Sequence, residues 1–98
     1  MSEKLFGKYR GIVTDNRDPM QLGRLRVAVP DVLDRIEGSW ALACVPPNAV
    51  AEPVGALIPR MGTGVWVEFE AGDVNRPIWS GCFFTNAADT PPSLRVAE

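Results

Sequence analysis

Glycine and proline interrupt this chain so often that no long helix can run through it. Nine Gly and nine Pro are spread over 98 residues, and the runs between them place apolar residues at every second position rather than at helical spacing. In Lys8 to Asp15, Tyr9, Gly11 and Val13 share one face, while Lys8, Arg10, Ile12 and Thr14 share the other. Gly23 to Val29 sets Leu25, Val27 and Val29 inward and Arg24 and Arg26 outward. A third run, Trp40 to Val45, must stop at Pro46-Pro47, which have no N–H to give a neighbouring strand. The clearest strand is Gly64 to Glu70, with Val65, Val67 and Phe69 on one side and Trp66, Glu68 and Glu70 on the other. Pro77 opens a last run in which Ile78, Ser80, Cys82 and Phe84 alternate with Trp79, Gly81 and Phe83. Both faces of that run are apolar, so the sequence predicts a strand covered on both sides.

The connections read as polar or special-backbone segments. Asn16 to Gln21 contains Pro19, which ends any ladder. Gly72 is free to take a positive φ, and the Asp73 carboxylate can accept nearby backbone N–H groups. Asn48 to Ile58, broken by Pro53 and Gly55, reads as an ordered loop. About five short strands are too few for a sandwich, and closing them into a cylinder removes sticky edges. The expected fold is therefore all-β, a small five-stranded OB-type Greek-key barrel, with an SH3-like barrel as the second topology. The barrel domain spans residues 1–84, and an extended C-terminal tail spans 85–98.

Composition narrows the chemistry. With no His, the commonest near-neutral proton carrier and nitrogen ligand is missing, and Ser-His or Cys-His nucleophile pairs cannot form. Cys44 and Cys82 stand far apart without a C-x-x-C spacing, so they read as buried, reduced thiols rather than a zinc site or disulfide framework. Ten bases against twelve acids give a net charge of −2, which disfavours a surface that grips nucleic-acid backbone. Arg outnumbers Lys among the bases, a bias suited to protein contacts. There is no long apolar run for a membrane span, and Met1-Ser2-Glu3-Lys4 does not resemble a secretory signal, so synthesis in the cytosol is expected. The sequence predicts no catalytic residue, no cofactor, no metal, and no nucleic-acid or membrane partner.

Two ordered blocks then carry a resemblance. Tyr9-Arg10-Gly11-Ile12-Val13-Thr14-Asp15-Asn16, Asp18-Pro19, Leu22-Gly23-Arg24-Leu25-Arg26-Val27 and Val29-Pro30 form the first. The second comprises Trp40-Ala41, Ile58-Pro59-Arg60-Met61-Gly62, Gly64 to Glu70, Gly72-Asp73, Arg76-Pro77-Ile78-Trp79 and Gly81. Together they resemble the OB domain of phage baseplate and tail-spike proteins and of VgrG-type spikes of contractile injection systems, over roughly Tyr9 to Phe84. The resemblance implies a structural component: a homotrimer about the spike axis, joining the hub and tube proteins to the spike shaft. Larger relatives continue into a triple-stranded β-helix, sometimes with a lysozyme domain, and lytic activity does not carry over with the OB blocks alone.

The candidate interface residues follow from their faces. Trp66, opposite the inward Val65, Val67 and Phe69, is either an interface anchor or covered by the Pro46 to Gly55 loop. Trp79 and Phe83 form a stripe expected to pack in the core. Glu68 and Glu70, two residues apart on a strand and so about 6.5–7 Å apart at Cα, fit a glycosidase pair in spacing but lack an apolar pocket to split their pKa values. Arg24 and Arg26 project together and could bridge between subunits to Glu68, Glu70 or Asp73, and Arg76 is a further interface candidate. An OB module binding single-stranded nucleic acid or oligosaccharide is the alternative function, motivated by fold.

Overall fold

The computed structural model describes residues 4–32, 39–47 and 58–95. Five strands form one sheet: β1 (Tyr9–Asp15), β2 (Arg26–Ala28), β3 (Leu42–Ala43), β4 (Gly64–Phe69) and β5 (Pro77–Phe83), in the order β2-β1-β4-β5-β3. Neighbours are antiparallel except β3 and β5, which run parallel. The sheet curls until its two ends meet: Leu25, just before β2, and Ala41, just before β3, exchange both backbone hydrogen bonds at 3.1 and 2.7 Å. Among the described residues that bridge joins the β2 and β3 edges and completes the five-stranded circuit.

The alternation of the sequence is the cause of the core. Val13, Leu25, Val27, Val29, Ala41, Val65, Val67, Phe69 and Trp79 are all buried and form one cluster with Leu5 and Val32. Arg10, Ile12 and Thr14 face out from β1, as their phase requires. Gly11 is there because the wall is tight: a Cβ on it would come within 2.8 Å of the Val67 Cγ2 methyl. Tyr9 meets Phe69 edge-on, ring centroids 5.5 Å apart, and so packs against the cluster.

Strand β5 departs from simple alternation. Val67 pairs with Trp79 and Val65 with Cys82, so Trp66 alone stands opposite Ser80 and Gly81. This is a β-bulge, with Gly81 at φ 82°. The extra residue shifts the phase, so Trp79 points into the core whereas Phe83 emerges on the outer face. The expectation that Trp79 and Phe83 share the core thus holds for Trp79 alone. Nor is β5 covered along its whole length, since Gly81 and Cys82 are exposed.

The β4–β5 connection is a 3-10 turn, Glu70–Gly72, in which Gly72 has φ 78° and the Asp73 carboxylate accepts the Asn75 N–H at 2.9 Å, as its residues predict. The incoming N-terminal segment docks here through the Leu5 N–H on the Gly72 carbonyl. Residues 48–57 of the predicted Asn48 to Ile58 loop lie outside the described residues. In the C-terminal stretch, Asn86 and Asp89 hold a turn through mutual hydrogen bonds and Pro92–Leu94 forms a short 3-10 turn. Among the described residues no helix is long and apolar enough to cross a membrane.

Candidate interaction surfaces

Two arginine–tryptophan platforms stand on the barrel. The first is built by the register of β1, β4 and β5. Arg10 lies opposite Trp66, and Gly64 lies opposite Phe83, on the outer face. The Phe83 ring covers Gly64 so closely that a Cβ there would approach it to 2.6 Å. Phe83 leans on Trp66 with centroids 4.9 Å apart, and the Arg10 guanidinium sits 5.0 Å from the Phe83 centroid and 5.8 Å from that of Trp66. Trp66 is thereby half-buried under its own strand neighbours. Whether the Pro46 to Gly55 loop also bears on it falls largely outside the described residues.

A groove of about 590 Å³ opens beside this platform, lined by Ile12, Met61, Phe83 and Phe84 together with the charged Arg60 and Asp89. Ile12 and Met61 are exposed. Phe83 therefore serves both features.

The second platform is organised by one carboxylate. Asp18 accepts the backbone N–H groups of Met20, Leu22 and Arg24 at 2.9, 2.9 and 3.2 Å. The Arg24 side chain closes on it in bidentate fashion, Nε and Nη2 donating at 2.9 and 2.8 Å. The Asp18 side chain is only 3% exposed, against 18% for Arg24. The Arg24 guanidinium and the backbone donors together hold the Asp18 carboxyl far below the usual carboxylate range, and the pairing raises Arg24 in turn. Arg24 and Arg26 both lie over Trp40, at 5.5 and 4.8 Å from its centroid. The loop is tied to the core by Trp79, whose Nε1–H donates to the Gly23 carbonyl at 3.0 Å. Beside it, a hollow of about 640 Å³ is lined by Leu22, Ala43, Val45, Ile58 and Trp79 among others.

The remaining predicted residues are dispersed. Glu68 accepts the Ser80 hydroxyl at 3.2 Å on the outer face. Strand β4 ends at Phe69, so Glu70 belongs to the turn and pairs with Arg76 there at 3.1 Å. Asp73 is spent on its own turn. The carboxylates Glu68 and Glu70 thus have separate partners. Of the two arginines expected to project together, Arg26 is exposed while Arg24 is folded back onto Asp18.

Sequence reasoning missed Arg10, Phe83 and Trp40 as members of these surfaces, together with Asp18 as an organising group. The signal for Asp18 was available: Asp followed by Pro at the start of a turn commonly captures backbone N–H groups. Cys44 and Cys82 are both exposed, contrary to the expectation of buried thiols. Cys44 follows β3 just before Pro46, and Cys82 follows the Gly81 bulge, so neither is drawn into the core. Partial desolvation pushes the Cys82 thiol above its ordinary pKa, which lowers its thiolate fraction and its reactivity.

No curated protein matches the chain. The profile of one family, a structural domain of phage baseplates and spikes, matches residues 9–84, the span of the five strands and of both sequence blocks. A curled five-stranded all-β sheet closed between Leu25 and Ala41 is the fold that this match requires. The chain belongs to the Type VI secretion system/phage-baseplate injector OB domain family.

Proposed function

We propose that the protein is a non-catalytic building block of a contractile tail or injection-system spike, three copies forming an OB collar that links the tube hub to the spike shaft. The observation that carries this reading, beside the family, is the spread of large apolar side chains left outside so small a barrel. Phe6, Ile12, Met20, Leu22, Leu42, Val45 and Met61 are all exposed, on several elements. Exposed apolar residues scattered singly mean little, but here Ile12 and Met61 adjoin Phe83 along one groove and Leu22 and Val45 adjoin along a second hollow, and contiguous exposed apolar surface marks sites of contact. A component embedded in an assembly has neighbours above, below and beside it. The mutually bonded strands and dense Val-rich core make a stiff block suited to transmitting thrust. Tagging the chain in its producing bacterium and imaging the purified particles should place it on the threefold axis between tube and spike. Particles that assemble and fire normally without it would overturn the reading.

The second reading, an OB module for single-stranded nucleic acid or oligosaccharide, draws on the two arginine–aromatic platforms. It is disfavoured because guanidinium groups of the chain already occupy faces of Trp40 and Trp66 where a base or sugar would stack. Titration with labelled oligonucleotides at low salt should show no binding.

A further inference from the structure

We propose that Lys4–Phe6 is a strap that opens and closes one end of the barrel on a hinge at Gly7, without unfolding the strands. Its central side chain, Leu5, is 7% exposed and belongs to the core cluster. Leu5 enters at the β4–β5 turn, where Phe69 before the turn is part of that cluster and Val74 after it packs against it. The Leu5 N–H donates to the Gly72 carbonyl at 2.9 Å. Phe6 lies against the same turn, 70% exposed, so close that a Cβ on Gly72 would come within 3.0 Å of its ring and 3.2 Å of the Lys4 Cβ. Residue 72 is thus bare for two reasons, its φ of 78° and the segment laid over it.

The segment is seated like core but fastened like a loop. Among the described residues one hydrogen bond ties it to the turn, and no ion pair involves it. Burying one leucine and ordering the backbone of three residues are opposing effects of similar size. Docked and undocked states therefore lie close in free energy, and the segment opens as a unit of its own. The hinge sets the balance. Gly7 is exposed, has φ 90°, and has nothing within 4 Å of the place a Cβ would take. Its backbone conformation, and not its packing, admits the strap to the turn. Lys8 after it is exposed, and Tyr9 begins β1 in register with Val67, so motion about Gly7 ends where the ladder starts. Undocking bares Leu5 and the seat it leaves beside the core side chains in one event, which makes this end of the barrel a closable apolar surface.

Trypsin reads the opening. Cleavage at Lys4–Leu5 requires the strap to lie extended in the protease, whereas cleavage at Arg10–Gly11, inside β1, requires the barrel to come apart. Initial rates on the native protein, followed by mass spectrometry, should show Lys4–Leu5 cut far faster than Arg10–Gly11 and severalfold slower than the same bond in a peptide of residues 1–12. Gly7→Val meets no neighbour and disfavours positive φ by about tenfold, so it should raise the Lys4–Leu5 rate to near that of the peptide and leave Arg10–Gly11 unchanged. D-alanine at position 7 of a chemically synthesised chain favours positive φ and should slow Lys4–Leu5 severalfold. Equal rates at the two bonds overturn the proposal, because the strap then leaves only when the barrel unfolds. A native Lys4–Leu5 rate equal to that of the peptide overturns it as well, because the strap is then never seated, and so does a rate indifferent to residue 7.

Discussion

The two arginine–tryptophan platforms use the same chemistry and differ in what holds the cation. Arg24 lies over Trp40 with its guanidinium also locked onto Asp18, and the Asp18 loop is fastened to the core by the Trp79 indole. Arg10 lies over Trp66 and Phe83 on an open strand face, with no carboxylate bridging it among the described residues. A cation shared between a ring and a buried carboxylate serves to fix backbone; a cation resting on a ring alone leaves its N–H donors to whatever arrives. One side of the barrel is therefore finished by folding, and the other is left to be completed by contact.

That contrast can be broken at several points. Trp79→Ala strikes where the locked side meets the core, and should cost about 3–5 kcal/mol by large-to-small truncation, read from urea unfolding. A loss comparable with that of a surface substitution would mean the Asp18 loop hangs on nothing central. Asp18→Asn should come next. The folded pKa of Asp18 lies below its unfolded value, so its contribution is complete above the ordinary carboxylate range near about pH 4 and is lost as pH falls through that range toward the folded value. The stability gap between wild type and Asp18→Asn should be constant near neutrality and close progressively in acid. A gap no larger than that of Arg10→Ala, or one that does not change with pH, would make the two platforms equivalent.

Smaller effects belong to the open side. Arg10→Ala should lower stability by about 0.5–1 kcal/mol, the range of an exposed cation–π contact, while altering the tryptophan emission because Trp66 loses its cover. The smallest change should follow Glu70→Gln, since the Glu70–Arg76 pair is exposed at both ends and such pairs are worth at most about 1 kcal/mol, less in salt. Thermal melts at low and high ionic strength would check both.

Much of the barrel was legible because β1, β2 and β4 obey strict alternation: the burial of Gly11, Val13, Val27, Val65 and Val67 follows from counting by twos. Pro77 at the start of β5 and the turn conformations of Gly72 and Asp73 were equally readable, since each depends on local backbone chemistry. The bulge at Gly81 was not. Gly in a strand hints at one, but only the pairing of Trp66 with two residues fixes it, and that pairing is set by a strand more than ten residues away. Phe83 was assigned to the wrong face for that reason. The fate of Arg24 was hidden differently. Alternation places it outward correctly, yet the carboxylate it finds is brought back by a turn whose path depends on Gln21 adopting a left-handed conformation. The interface candidates were thus read from the phase of each strand, whereas their availability depends on which partners the turns deliver.

Among the described residues the closure between Leu25 and Ala41 consists of one bridge, whereas β4 is laddered along its length to a neighbour on each side. The cylinder accordingly has a strong spine and a narrow seam, which Arg24 and Arg26 clasp from either side of Leu25 by lying over Trp40. Opening that seam breaks the clasp together with the pair of amide hydrogen bonds and leaves the three central strands paired, so the Leu25 and Ala41 amides exchange with solvent only through a local event that the Asp18–Arg24 lock resists.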